Sequence, residues 1–373
     1  MKKNKRAVIA SGGTGGHFYP GFALAQELRS RGWQILFLVK KDDIARPALE
    51  DADLPYAELD MVSLPRGLNP LSHLAFAVKF VKSFALSRRI MKDYRPDAVI
   101  GTGSYVAFPA VLAARLSGVR AYIHESNAKF GIGNYLSGFF CSGAALGLPA
   151  RNNPFAARSV LTGTPIREAF SRMPGRDAAR AALGLAPGKF TALVFGGSQG
   201  ARRLNSAFVN ALKSLKGDMQ AIHLTGRNNF KAVKDAYADA GLLDLPGVKV
   251  FDYREDMPEL YAAADLVLSR SGASTVAELV HLAKPSLLVP LPGSAGGHQE
   301  ANAMVLASAG AGACLKEGPD FDPGLAAALR GFMENPEKTA AMELNFKNTG
   351  IPDGLKAAAA LADLIEGAWN GNR

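Results

Sequence analysis

One pattern occurs twice in this chain and limits its fold more than any other feature. "VIASGGTGG", from Val8, stands before "YPGFALAQEL", and "LVFGGSQGA", from Leu193, stands before "RLNSAFVNAL". Each copy is an apolar run of β character, then Gly-Gly-(Thr or Ser)-x-Gly, then an amphipathic helical stretch. Glycine at such a junction lets the backbone turn sharply and brings N–H groups close to an anion, to which a helix N-terminus adds partial positive charge. Two such starts predict an α/β chain of two doubly wound, Rossmann-like domains. Ligands of these sheets bind outside the carboxyl ends of the strands, so the domains are expected to face a cleft.

The length agrees, since 373 residues exceed one ordinary core and fit two domains of roughly 150 to 200 residues. Strands are predicted near Ala7–Ser11, Gln34–Val39, Ala98–Thr102, Ala121–His124, Thr191–Phe195, Gln220–Leu224, Lys249–Phe251, Leu266–Ser269 and Ser286–Val289. First-half helices are predicted near Pro20–Arg31, Ser72–Lys92 and Ala107–Leu116. The Gly-, Pro- and Arg-rich segment Thr162–Lys189 is the expected hinge.

A net charge of +10 calls for an anionic partner: nucleic acid, an acidic membrane surface or phosphorylated substrates. Cys141 and Cys314 show neither disulfide-framework nor zinc spacing, which fits a reducing compartment. The apolar run after "MKKNKR" is about four residues long, short of the roughly 7 to 15 of a signal peptide. No stretch approaches the roughly 20 apolar residues of a membrane span. A cytoplasmic protein is expected, with surface attachment to a membrane left open.

Neither glycine loop is a dinucleotide fingerprint. G-x-G-x-x-G would need Gly or Ala where Phe18 stands, and the second strand runs into Lys40 and Lys41 instead of a ribose-binding acid. Neither carries the GK(S/T) of a P-loop. His17, after the first loop, sits where a helix start would aim it at a bound anion, and an imidazole suits proton removal from a sugar hydroxyl. A packing or capping role is its simpler alternative. "GTGSYVAFP", Gly101 to Pro109, would place Gly103 and Ser104 near the same substrate, and "HESNAKFGIGN", His124 to Asn134, adds a polar cluster at a strand end. A turn with an Asx cap would use the same residues.

In the second half, "SRSGASTVAELV" reads as strand end, glycine turn and helix start. Free N–H groups around Ala273 to Thr275 suit a diphosphate, and Glu278, one turn inside, suits the two hydroxyls of a ribose. Gln299 and Asn302 share a helical face and suit sugar hydroxyls. No acid pair stands beside these loops, so no metal site is expected.

The Ser72–Lys92 helix carries two apolar stripes at about 100° per residue. Leu74, Val78, Val81 and Ala85 form one, and Phe76, Phe80 and Phe84 the other. One stripe is expected on the core. The phenylalanines, ringed by Lys79, Lys82, Arg88, Arg89 and Lys92, are the predicted contacts with an anionic membrane surface; a helix buried on two sides competes with this.

"GGTGGHFYPGFALAQEL", "GTGSYVAFPAVLAA", "HESNAKFGIGN", "GGSQGARRLN", "SRSGASTVAEL" and "GGHQEANA" occur here in order. Together they resemble the MurG family of undecaprenyldiphospho-muramoylpentapeptide β-N-acetylglucosaminyltransferases, over about residues 7 to 310. The family usually reads His-Glu-Gln-Asn where this chain has His124-Glu125-Ser126-Asn127. The resemblance implies a GT-B fold: an acceptor-binding, membrane-associating domain of residues 1–163 plus about 345–373, and a UDP-GlcNAc-binding domain of residues 164–344. It implies inverting transfer of GlcNAc to the C4 hydroxyl of MurNAc in an undecaprenyl-pyrophosphoryl-MurNAc-pentapeptide, as a step of peptidoglycan synthesis.

Carried over residue by residue, the resemblance assigns the donor to Thr14, Gly15, Gly16, Asn127, Arg167, Ser198, Arg254, Ala273, Ser274, Thr275, Val276, Ala277, Glu278, Gln299 and Asn302. Arg254 would meet uracil through its backbone. The acceptor falls to Gly13, Gly103, Ser104, Tyr105, His124 and Asn134. His17 is the first choice for the base and Glu125 the second. No bound cofactor is implied, only non-specific stimulation by divalent cations. The implied setting is peripheral, on the cytoplasmic face of the inner membrane, with cell-wall synthesis and division proteins as partners and no nucleic acid. Two other readings keep the architecture: a UDP-GlcNAc 2-epimerase, and a nucleotide-sugar-binding regulator without turnover.

Overall fold

The computed structural model describes residues 4–62, 64–65, 67, 69–197, 200–215 and 218–367. The chain divides into two compact units: the first holds residues up to Arg167 and those from Ile351 onward, the second Glu168–Gly350. These junctions lie four to six residues beyond the expected ones at 163/164 and about 344/345.

The first unit has seven strands: β1 (Arg6–Ala10), β2 (Gln34–Lys40), β3 (Tyr56–Leu59), β4 (Ala98–Gly101), β5 (Arg120–Glu125), β6 (Gly143–Leu146) and β7 (Ser159–Leu161). All pair in parallel, in the order β3-β2-β1-β4-β5-β6-β7. The direction of winding reverses between β1 and β4, which makes their carboxyl ends the crevice where such sheets take ligands. Sequence reading misses β3, β6 and β7, and β6 shows why: "GAAL" has no β-branched or aromatic residue to signal a strand.

Apolar layers cover both faces of this sheet. One joins Ala7, Ile9, Ile35 and Phe37 to Leu24 and Leu28 of the Gly15–Ser30 helix and to Leu361 and Ile365 of the last helix, Gly354–Glu366. The other joins Val8, Ala10, Val99 and Ile123 to Ala110, Val111 and Ala114 of the Ala107–Leu116 helix. The last helix is tied down by Arg31, which meets Asp363 at 2.5 Å and Glu366 at 3.0 Å.

The second unit has six strands: β8 (Thr191–Phe195), β9 (Gln220–Leu224), β10 (Val248–Phe251), β11 (Leu266–Ser269), β12 (Ser286–Leu288) and β13 (Ala313–Cys314). They too are parallel, in the order β10-β9-β8-β11-β12-β13, with the reversal between β8 and β11. Each glycine loop of the repeated pattern therefore follows a central strand at a switch point.

Two expectations need correction. The first helix begins at Gly15, not Pro20, so Gly15, Gly16 and His17 form its first turn and Pro20 lies inside it. Proline favours first helical positions, which is why the sequence pointed there. The stripes of the Pro70–Tyr94 helix are also reversed. Phe76, Phe80 and Phe84 are half-buried against the core, with Phe80 stacked 5.3 Å from Phe108, whereas Leu71, Leu74, Val78 and Val81 are exposed. The larger aromatic surface takes the buried side because it gains more from leaving water. Among the described residues, no helix is long and apolar enough to cross a membrane.

Candidate functional site

In the first unit, three loops at the carboxyl ends of β1, β4 and β5 come together. The β1 loop turns through Gly12 and Gly13, whose φ angles of 135° and 81° favour glycine. An acid that sequence reading overlooked holds it. Asp43, buried after β2, accepts the Gly13 N–H at 2.6 Å on Oδ2 and the Ala45 N–H at 3.0 Å on Oδ1. The Gly13 amide, predicted for the acceptor, thus already serves Asp43. The open amides of this loop are those of Gly15 and Gly16, which precede the first helical partners.

His17 is half-buried, and its Nδ1 lies 3.1 Å from Thr14 Oγ1. A Cβ on Gly103, in the β4 loop, would lie 3.1 Å from the His17 ring and 3.0 Å from the Asn134 amide. With φ of 97°, Gly103 is the residue that lets both groups approach. Ser104 lies on the other side, its Oγ 3.6 Å from a Cβ built on Gly13, and Tyr105 follows half-buried.

The β5 loop is organised around one carboxylate. Glu125, 3% exposed, accepts the Asn127 N–H at 3.0 Å and the Asn127 amide at 2.9 Å on Oε1. Its Oε2 accepts the Gly131 N–H at 2.9 Å and the Asn134 amide at 3.0 Å. Four donors saturate it, which corrects the expectation of Glu125 as an alternative base: it is a loop organiser. His124 is corrected likewise. It is fully buried, with Nε2 3.2 Å from the Gly163 carbonyl and Nδ1 3.3 Å from Ser126 Oγ, and burial lowers its pKa. It supports the loop and presents no face to an acceptor. Asn134, also fully buried, donates to the His124 carbonyl at 2.9 Å, so its amide group holds backbone. Arg167 is half-buried at the last residue of this segment.

In the second unit, the loop after β8 passes Gly197 and Gly200 at φ of 87° and 73°. Ser198 lies outside the described residues. A Cβ on Gly200 would lie 2.1 Å from the Thr225 carbonyl, so only glycine fits. Below it, Asn205 donates to that carbonyl at 2.9 Å and lies 3.2 Å from Nε2 of His223, whose Nδ1 is 2.9 Å from the Tyr237 hydroxyl. Burial drives His223 down to about 3, so the imidazole is neutral at neutral pH.

The loop after β11 leads through Gly272 into the Ala273–Leu282 helix, which has no side-chain cap. Ala273, Ser274 and Thr275 therefore have N–H groups without intrahelical acceptors. Val276 donates to the Gly272 carbonyl at 2.9 Å, and Val276 and Ala277, which the resemblance assigns to the donor, are both buried. Glu278 is half-buried, its Oε2 accepting from the Tyr261 hydroxyl at 2.8 Å. Tyr261, which orients this carboxylate, had no signal in the sequence.

Gln299 Oε1 accepts the Leu291 N–H at 2.9 Å, and its carbonyl accepts from Ser271 Oγ at 2.7 Å. Asn302 is fully buried and donates to the Ser271 carbonyl at 3.0 Å. It is thus a support for the β11 loop, not an open sugar ligand as expected. Arg254 lies 4.8 Å over the Phe251 ring and pairs with Asp256, whose hydrogen bond from Arg254 holds its carboxyl at about 2.

Both units have recognisable relatives. Residues 7–146 match the glycosyltransferase family 28 N-terminal domain, and residues 191–358 the C-terminal domain of the same family. A protein of Elusimicrobium minutum named UDP-N-acetylglucosamine–N-acetylmuramyl-(pentapeptide) pyrophosphoryl-undecaprenol N-acetylglucosamine transferase is 37% identical, covering 97% of this chain and 99% of its own. One of that name from Desulforudis audaxviator is 36% identical, with 97% and 98% covered. The crystal structure of Acinetobacter baumannii MurG superposes with a TM-score of 0.79 at 29% identity, covering 98% of this chain and all of that one. A solved UDP-N-acetylglucosamine 2-epimerase shares the fold at 15% identity, TM-score 0.66, covering all of this chain and 98% of that one. Two parallel sheets, each with its glycine loop at the switch point, and full-length similarity of this degree place the chain in glycosyltransferase family 28, among the MurG N-acetylglucosamine transferases.

Proposed function

We propose that this protein transfers GlcNAc from UDP-GlcNAc to the C4 hydroxyl of MurNAc in undecaprenyl-pyrophosphoryl-MurNAc-pentapeptide, with inversion, forming the lipid-linked disaccharide precursor of peptidoglycan. One observation carries the reading: the similarity to transferases of that name extends over 97% of the chain and so includes the switch-point loops of both sheets.

The second unit is the proposed donor side. The open amides of Ala273, Ser274 and Thr275, with Ser198, hold the diphosphate, Glu278 the ribose hydroxyls, Gln299 the sugar, and the backbone at Arg254 the uracil. As the C1–O bond to UDP breaks, its electron pair passes to the diphosphate. Amides already aimed there stabilise that charge more than the ground state. The first unit is the proposed acceptor side, formed by the His17, Gly103 and Ser104 cluster. When His17 donates from Nδ1 to Thr14, Nε2 carries the lone pair that takes the proton of the attacking hydroxyl. Charge stabilisation by these amides calls for no resident metal.

Attachment to anionic membrane is assigned to Leu71, Leu74, Val78 and Val81, exposed beside Lys82, Arg88, Arg89 and Lys92. The proposed setting is peripheral, on the cytoplasmic face of the membrane, with cell-wall synthesis and division proteins as the proposed partners.

UDP release with and without a polyprenyl-pyrophosphoryl-MurNAc acceptor tests the function. Acceptor-dependent release with a disaccharide product is expected. Acceptor-independent UDP-ManNAc would establish the epimerase instead, and no turnover would favour a nucleotide-sugar-binding regulator.

A further inference from the structure

Two buried hydroxyls meet under the first turn of the Gly15–Ser30 helix. Ser11 and Thr102 stand one residue past β1 and β4, and their N–H groups continue the sheet, donating to the Leu38 carbonyl at 3.0 Å and the Ala10 carbonyl at 3.1 Å. Their side chains are 0% and 1% exposed. Ser11 Oγ lies 2.9 Å from the His17 carbonyl oxygen, and Thr102 Oγ1 lies 2.8 Å from the same oxygen and 2.9 Å from Ser11 Oγ. Two protons serve three contacts, so both stay inside the cluster. Buried hydroxyls without partners are costly, which leaves this arrangement little freedom.

This turn has reason to need support from outside the helix. Pro20 lacks an N–H, so the Gly16 carbonyl has no donor four residues on, and Gly15 and Gly16 add backbone freedom. Just beyond, a Cβ on Gly21 would lie 3.0 Å from Ser11 Oγ and 3.2 Å from Ile9 Cγ2, so the helix approaches β1 closely there. The hydroxyl pair therefore ties the residue bearing the imidazole directly to the ends of the two strands that flank the switch point.

We propose that Ser11 and Thr102 are positioning residues for His17: gripping its carbonyl, they hold the first helical turn, and with it the imidazole, in register with the β4 loop. The proposal rests on His17 being the base. A base displaced by about 1 Å loses on the order of 100-fold in rate when geometry is limiting, and relaxation of one turn is expected to cost a part of that.

The test is Ser11→Ala with Thr102→Val in the full-length protein, assayed with UDP-GlcNAc and a soluble polyprenyl-pyrophosphoryl acceptor. The expected result is a fall in kcat of about tenfold, with KM for both substrates within about twofold. Thr102→Ser, which keeps the hydroxyl, should retain most activity. In a His17→Ala background the same pair should have no further effect. The His17 imidazole resonance, assigned by its loss in His17→Ala, should shift or broaden in the double variant while that of His223 does not. Unchanged kcat, or an unmoved His17 resonance, would overturn the proposal. So would an equal loss in both backgrounds, which would leave His17 as base. Full activity of His17→Ala alone would remove the base assignment itself. Should the double variant fail to fold, Thr102→Val, nearly isosteric, carries the same readouts.

Discussion

Asp43 Oδ2 accepts the Gly13 N–H at 2.6 Å, placing a buried carboxylate where a generic phosphate loop would hold its ligand. The carboxylate shapes the turn from inside, and the amides ahead of the first intrahelical acceptors are those of Gly15 and Gly16. Replacing Asp43 by Ala leaves two backbone donors unpaired and should cost about 2 to 3 kcal/mol of stability, with Asn, which keeps one acceptor oxygen, costing about 1. Urea unfolding measures both, and kcat/KM should fall in the same order. Equal stability of wild type and Asp43→Ala would mean that the loop holds itself.

Glu125 with its four donors makes a different forecast from a catalytic carboxylate. Glu125→Gln puts an NH2 group against two of those donors and should lower the melting temperature, by an amount corresponding to about 2 kcal/mol, along with activity. Loss of activity at unchanged melting temperature would restore Glu125 as a base.

The reversed stripes of the Pro70–Tyr94 helix can be separated experimentally. Phe80→Ala should destabilise the first unit by about 3 kcal/mol, as expected for an aromatic packed against the core. Leu74→Ser with Val81→Ser, both 62% exposed, should leave stability within about 0.5 kcal/mol and weaken sedimentation with anionic vesicles. Vesicle binding lost in Phe80→Ala but retained in the serine pair would return the membrane face to the phenylalanines.

Glu366 ties the last helix to the start of the chain within the first unit. Burial alone would raise its pKa, but hydrogen bonds from Lys5, Trp33 and Arg31 hold it at about 2 against an ordinary 4.5. A carboxyl depressed on folding contributes stability that is complete above about pH 4.5 and is lost as pH falls towards 2. Glu366→Gln should therefore be less stable than wild type by about 2 kcal/mol at pH 7, with the difference shrinking through that window. A difference that stays constant with pH would show a steric origin.

His223 has linkage of the same sign from a different cause, burial of an imidazole that stays neutral. Its pKa falls from 6.5 to about 3 on burial, so below pH 6.5 the unfolded chain binds a proton that the folded chain refuses. Stability of the second unit should fall on acidification from pH 6.5, with this group contributing up to about 1.4 kcal/mol per pH unit. His223→Gln should flatten that slope, while an unchanged slope would assign it to other groups.

The glycine repeat and the alternation of β and helical runs made both parallel sheets legible, because winding topology follows from local periodicity and from where the backbone must turn. Glycine positions near Gly13, Gly103 and Gly272 likewise marked three of the loops that line the switch points. Which side chains stay open there was not legible. Asp43 reaches Gly13 across thirty residues and Thr102 reaches His17 across eighty-five, and nothing in local sequence records such pairings. The same blindness made Glu125 look like a base, and His124 and Asn302 like ligands. A polar residue at a strand end reads alike whether it faces a substrate or satisfies buried backbone, and the difference is decided by which donors and acceptors the fold leaves unpaired around it. By itself the sequence determined two doubly wound sheets, the placement of the glycine loops and the family. Only tertiary structure decided which stripe of the Pro70–Tyr94 helix is buried and which polar groups hold loops in place, because burial and hydrogen-bond satisfaction are settled between elements distant in the chain.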